Sequence, residues 1–141
     1  MSKPKDIVYI SGPFRGDLQW DILRNVRRAE QVALRAWKEG FVALCPHLNT
    51  QNFQGTCPDE TWLVGDLILL SKCQRIWLVD DWKTSEGARI ELLYAWKKNI
   101  PVWEVLASGG KRRLHDKEIA EFATETMAES VWLSQREQVL P

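Results

Sequence analysis

Residues Arg75 to Glu91 read RIWLVDDWKTSEGARIE, and the two halves of this stretch carry different patterns. Arg75 to Asp80 is a short apolar run, the pattern of a buried strand. From Ser85 the pattern becomes helical, and the helix is expected to run to about Asn99. Ser85 is suited to the N-cap, where its hydroxyl can accept from one of the first free backbone N–H groups. Gly87 presents no side chain to a ligand approaching the backbone. Glu91 has Gly87 and Ala88 at i−4 and i−3, and Tyr94 and Ala95 at i+3 and i+4. Its carboxylate therefore lies on the small, apolar side of the helix, with Glu86, Arg89 and Lys97 on the wet side. A helix N-terminus with a hydroxyl and a glycine is an anion site in waiting. A glutamate one turn behind it can act as acid, base or nucleophile. The same residues also fit a well-capped surface helix with one paired glutamate.

A strand leading straight into a helix is the repeating unit of an α/β fold, and the flanking sequence repeats it. Ile7–Ser11 (IVYIS) is expected as the first strand, ending in the turn Gly12-Pro13-Phe14-Arg15-Gly16. Neither a dinucleotide fingerprint nor a P-loop spacing is present there. A long helix follows from Leu18 to Glu39, with Ile22, Val26, Ala29, Ala33 and Ala36 at helical spacing and Gly40 as the stop. Phe41–Cys45 is the second strand, and His47–Gly55 a polar loop. Thr56 with Asp59 has the form of a capping box for a helix reaching Ser71. Ile100–Val105 is the fourth strand, Ala107–Arg113 a Gly-rich basic turn, His115–Met127 a weaker amphipathic helix and Ser130–Leu133 a short fifth strand. The expectation is one domain over residues 1–141, with a parallel five-stranded sheet and helices on both faces.

In such sheets ligands bind beyond the carboxyl ends of the strands, where strand order reverses. The loops that reach this edge carry Gly12 to Gly16, His47, and Asp80 to Gly87. Asp66 belongs with them. Trp62 and Leu63 precede it and Leu69 and Leu70 follow it at helical spacing, so it interrupts an apolar stripe. An unpaired charge there is costly, and such acids cluster at functional sites.

Composition removes other classes. Of 141 residues 45% are hydrophobic, and nineteen basic residues balance nineteen acidic ones. That balance argues against a nucleic-acid groove or an anionic-membrane surface. No apolar run approaches the ~18 residues of a membrane span, and the N-terminus lacks the pattern of a secretory leader. Cys45, Cys57 and Cys73 have no CxxC spacing, which favours free thiols in a reducing, cytoplasmic setting over a disulfide frame. Cys45 and His47 alone make a poor metal site, so no metal and no cofactor are expected.

Taken together, Tyr9-Ile10-Ser11-Gly12-Pro13, Asp66-Leu67 and Trp82-x-x-Ser85-x-Gly87-Ala88-x-x-Glu91 resemble the nucleoside 2-deoxyribosyltransferase superfamily over about residues 6 to 105. The likeness is greatest to a small phage and bacterial branch. It implies a flavodoxin-like (Rossmann-like) three-layer sandwich and attack on the N-glycosidic carbon of a nucleoside or nucleotide. By the same resemblance Glu91 is the nucleophile, Tyr9 orients it, and Asp66 places the sugar and protonates the base. The transferases carry an acid where this chain has Ser85. A serine there is similar to the branch that hydrolyses nucleoside monophosphates, and a hydroxyl with helix N–H groups suits a phosphate better than a carboxylate does. Ser11, Gly12 and Arg15 are candidate phosphate contacts, with a solvated loop cation as the alternative for Arg15. His47 is a candidate base or sugar contact, and Trp82 a candidate pocket wall or core residue. The resemblance also implies a homodimer or larger homo-oligomer, and the surplus aromatics outside the apolar stripes offer Trp96, Trp103 or Trp132 for the contact. A nucleotide-binding module without turnover is the other function these residues allow.

Overall fold

The computed structural model describes residues 5–141; the first four residues, on which part of the leader reading rests, lie outside it. The chain folds as an α/β protein around a five-stranded sheet of order β2-β1-β3-β4-β5. The strands are β1 (Ile7–Ser11), β2 (Val42–Leu44), β3 (Arg75–Leu78), β4 (Val102–Val105) and β5 (Lys111–Leu114). The helices are α1 (Gln19–Lys38), α2 (Pro46–Thr50), α3 (Asp59–Leu70), α4 (Glu86–Lys97), α5 (Asp116–Glu125) and α6 (Met127–Ser134). Among the described residues, no helix is long and apolar enough to cross a membrane.

β1 pairs in parallel with both β2 and β3, and β3 with β4. Because β2 lies on one side of β1 and β3 on the other, the chain reverses direction across the sheet at β1. Alternate strand residues enter two separate clusters, as the period of two requires. Val8, Ile10, Trp77 and Val79 pack with Ala29, Ala33 and Ala36 of α1. Tyr9, Ile76, Leu78 and Val102 pack with Leu67 of α3 and with Ile90 and Leu92 of α4.

Two expectations are corrected here. The sheet is mixed rather than wholly parallel, since the fifth strand is Lys111–Leu114 and runs antiparallel to β4. The turn is confined to the residues before it, where Leu106 N–H donates to Gly110 O at 2.8 Å and Gly109 takes a φ of +99°. Lys-Arg-Arg shows no apolar alternation of its own. It is held by cross-strand partners: the Arg113 guanidinium lies 4.8 Å from the Trp103 ring, and Arg112 Nη2 3.5 Å from Glu104. Such side chains also keep an edge strand from pairing with other molecules.

Ser130–Leu133, in turn, is helix and not strand. Glu129 and Leu133, four residues apart, are its buried positions, and Glu129 takes two hydrogen bonds from Arg89 of α4 at 2.9 and 3.1 Å.

Smaller differences follow the same logic. The expected loop His47–Gly55 begins as α2, with Pro46 in the first turn where its missing N–H costs nothing. Thr56 does not cap α3; its hydroxyl donates to Phe53 O, and the helix starts after Pro58. The tryptophans expected at a subunit contact are half-buried within the chain, whereas Trp20 and Trp37 are 63% and 52% exposed.

Candidate active site

Beyond the carboxyl ends of β1 and β3 a cleft of about 350 Å³ opens against α2, α3 and the start of α4. It lies at the strand-order reversal. Gly12 begins the loop after β1, and it must be small: a Cβ there would stand 2.7 Å from Cβ of Val79 at the end of β3. Asn25 of α1 fastens the loop further along, with its Nδ2 donating to the carbonyls of Phe14 and Arg15 at 3.1 Å each.

α4 enters the cleft with its N-terminus. Ser85 is its N-cap, accepting from Ala88 N at 3.2 Å. Gly87, Ala88 and Glu91, which share a helix face, all line the cleft. Tyr9 and Ser11, two residues apart on β1 and so on one face of the sheet, both reach Glu91. The Tyr9 hydroxyl donates to Oε2, and the Ser11 hydroxyl donates to Oε1 at 2.7 Å. Both residues are fully buried and Glu91 is nearly so. Ser11 is thus spent on Glu91 beneath the cleft and is not placed on its surface, where a phosphate contact would need it.

Asp66 of α3 lines the same cleft, half-buried, one helical turn beyond Trp62. Burial lifts the Asp66 carboxyl well above the ordinary range. Burial lifts Glu91 as well, the Asp66 charge adds to the lift, and the hydrogen bonds from Tyr9 and Ser11 oppose it. Two carboxyls that repel one another in this way take up protons as a pair. Burial, then the Glu91 charge, raise the Tyr9 phenol well above its usual value, so it stays a donor.

His47 is buried against the loop after β1, with Nε2 2.8 Å from Pro13 O and its ring edge-on to Phe14 at 5.4 Å. A carbonyl can only accept, so Nε2 carries the hydrogen. Burial lowers the His47 pKa, which keeps the ring neutral. His47 lines the cleft while bracing its wall. Arg15 also lines it, paired with Asp59.

Trp82 is not a wall of this cleft. It is buried in a short 3-10 turn (Trp82–Thr84), its ring meets Phe122 edge-on at 5.2 Å, and Nε1 donates to Glu104 at 2.8 Å. The aromatic residues that do line the cleft are Phe14 and Trp62, together with Thr50 and Gln54. Trp62 Nε1 is buried with no hydrogen-bond partner among the described residues. Its place four residues before Asp66 was the one sequence signal for it; nothing local marked Thr50 or Gln54. Among the described residues no three His, Cys, Asp or Glu side chains gather as a metal site would require.

No curated protein and no solved structure matches the chain. A family model matches residues 6–105, from the start of β1 to the end of β4, and so spans every residue that lines the cleft while omitting β5, α5 and α6. The chain belongs to that family, described as a domain of unknown function (DUF7768).

Proposed function

We propose that this protein cleaves the N-glycosidic bond of a nucleoside or nucleoside 5′-monophosphate, by hydrolysis or by exchange of the base. The observation that carries the reading is the double hydrogen bond from Tyr9 and Ser11 to Glu91, made in a cleft that Asp66 shares. Hydroxyls donated to both Glu91 oxygens favour its ionised form. Asp66 receives no such donor among the described residues; burial raises both carboxyls, so the pair shares a proton, and in the proposed reactive form that proton is on Asp66. That gives the division of labour the reaction needs.

When the base leaves, the C–N bond breaks and its electron pair stays with the base nitrogen, which takes the proton from Asp66. Positive charge develops on the sugar carbon. Glu91 stabilises it, or forms a glycosyl ester through one oxygen while Tyr9 and Ser11 hold the carboxylate in place. Water or a second base then attacks the sugar carbon, any ester bond to Glu91 breaks with its electron pair returning to the carboxylate, and Asp66 recovers a proton from the incoming nucleophile. Pure binding of a nucleotide gains nothing from two repelling, partly buried acids, which is why turnover is preferred to a binding module.

The resemblance that suggested this chemistry also carries a flavodoxin-like three-layer arrangement, for which the two clusters on either side of the sheet speak. It carries a homodimer too. The free Cys45, Cys57 and Cys73 suit a reducing compartment such as the cytoplasm. The test is direct: incubate the protein with nucleosides and their monophosphates and separate any free base by chromatography. Base released by the wild type and not by Glu91→Gln supports the reading; no release from any substrate overturns it.

A further inference from the structure

Among the described residues Arg15 is the one cation lining the cleft, which also carries the carboxyls of Asp59, Asp66, Glu86 and Glu91. Its Nη2 lies 3.0 Å from Asp59 Oδ2, and the two side chains are 63% and 50% exposed. The pair joins two walls, because Arg15 stands on the loop after β1 while Asp59 is the first residue of α3. These walls are held unequally. The Arg15 loop is tied by Asn25 to the carbonyls of Phe14 and Arg15 itself, and by His47 to that of Pro13. The start of α3 has no side-chain cap and follows exposed residues 52–58. An exposed ion pair contributes little to stability, so it is readily exchanged.

A phosphate monoester offers a guanidinium more charge and more acceptor oxygens than one carboxylate does. Elsewhere in the cleft an anion meets like charge. At the α4 N-terminus the approach is open, since a Cβ built on Gly87 meets only Ser85 Oγ, at 3.9 Å. We propose that Asp59 is an internal mask on Arg15: a phosphate on the ligand takes the guanidinium from Asp59 and frees the start of α3. A neutral ligand cannot make that exchange. The mask therefore makes Asp59 a specificity-determining residue, selecting for the 5′-monophosphate. This rests on the cleft being the nucleotide site proposed above.

The experiment uses probes without a base. Ribose 5-phosphate, inorganic phosphate and ribose are titrated by calorimetry into the full chain, Asp59→Asn, Arg15→Gln and the double variant, each first shown folded by circular dichroism. Asp59→Asn is expected to bind ribose 5-phosphate about two- to fivefold more tightly, the range open to a surface pair. Arg15→Gln is expected to lose about tenfold or more, as for a charge-assisted hydrogen bond, and to abolish the effect of Asp59→Asn. Inorganic phosphate should follow the same order and ribose should not change. Unaltered or weaker ribose 5-phosphate binding in Asp59→Asn overturns the mask, as does an equal gain for ribose or no binding of ribose 5-phosphate at all. Base release from nucleosides and monophosphates is scored separately. Release without an Asp59 effect removes the mask and leaves the glycosidase, and an Asp59 effect without release does the reverse.

Discussion

The Tyr9 hydroxyl donates a hydrogen bond to Oε2 of Glu91, joining the first strand to α4 across 82 residues of sequence. With Ser11 on the other oxygen, it aims a buried carboxylate at the cleft and raises the cost of moving it. This arrangement can be tested at each of its members.

Glu91→Gln keeps the volume and removes the charge. Turnover is expected to fall by about three orders of magnitude or more, because covalent and electrostatic contributions are each worth several kcal/mol. The variant should bind ligand and remain folded. Full activity in a destabilised Glu91→Gln protein would mean that the residue is structural.

Stability should also respond to pH. The folded-state pKa values of the Asp66–Glu91 pair are raised, so between the ordinary carboxylate range and the raised values the folded chain binds more protons than the unfolded one. Stability conferred by the protonated form is complete below the unfolded pKa and is lost as pH rises through the folded one. Urea unfolding of the wild type should therefore show a decline from mildly acidic to mildly alkaline pH. Glu91→Gln should flatten that decline.

Tyr9→Phe deletes one donor and little volume. A hydrogen bond to a charged group is worth about 1.5–3 kcal/mol, so a ten- to hundredfold loss in kcat/KM is expected. Removing the donor also withdraws a stabiliser of the ionised carboxylate. The acid limb of the pH–rate profile should then move to higher pH. Asp66→Asn should move that limb the other way, by relieving repulsion of Glu91, and should cost about 10²–10⁴ in rate as a lost general acid. Limbs that stay put in both variants would dissociate these residues from Glu91.

The two cleft glycines should behave oppositely. Gly12→Ala drives a methyl into Val79, 2.7 Å away, and is expected to destabilise by about 1–3 kcal/mol. Gly87→Ala meets no such obstacle and should leave the melting temperature unchanged or slightly higher, while weakening binding of ribose 5-phosphate by occupying the approach to the helix N-terminus. Thermal unfolding and calorimetry on both variants separate the two cases.

Light scattering should give about twice the 16.4 kDa mass of one chain. Trp96 packs on the cluster around Tyr9, Trp103 lies beside Arg75 and Arg113, and Trp132 beside Arg136, so all three already have partners within the chain. A monomer at working concentration would remove the dimer from the proposal.

Short windows of sequence were enough for much of this molecule. The Ser85 cap depends on its immediate neighbours, and the alanines of α1 recur with the helix's own period. The period of two places Tyr9 and Ser11 on one side of β1. These features are local, so composition and spacing determined them. The antiparallel β5 was not legible, because Lys111, Arg112 and Arg113 become a strand through Trp103 and Glu104 opposite them rather than through a pattern of their own. α6 escaped for a similar reason: Glu129 is accommodated by Arg89, on a helix forty residues earlier. Trp82 could be read as core or as pocket wall, and Glu104 and Phe122 decide for the core. The resemblance had implied the contact of Tyr9 with Glu91, but the bond from Ser11 to Glu91 and the pairing of Arg15 with Asp59 were settled only in three dimensions. Spacing along a chain decides which way a side chain points within its own element, whereas strand order and register decide what it meets.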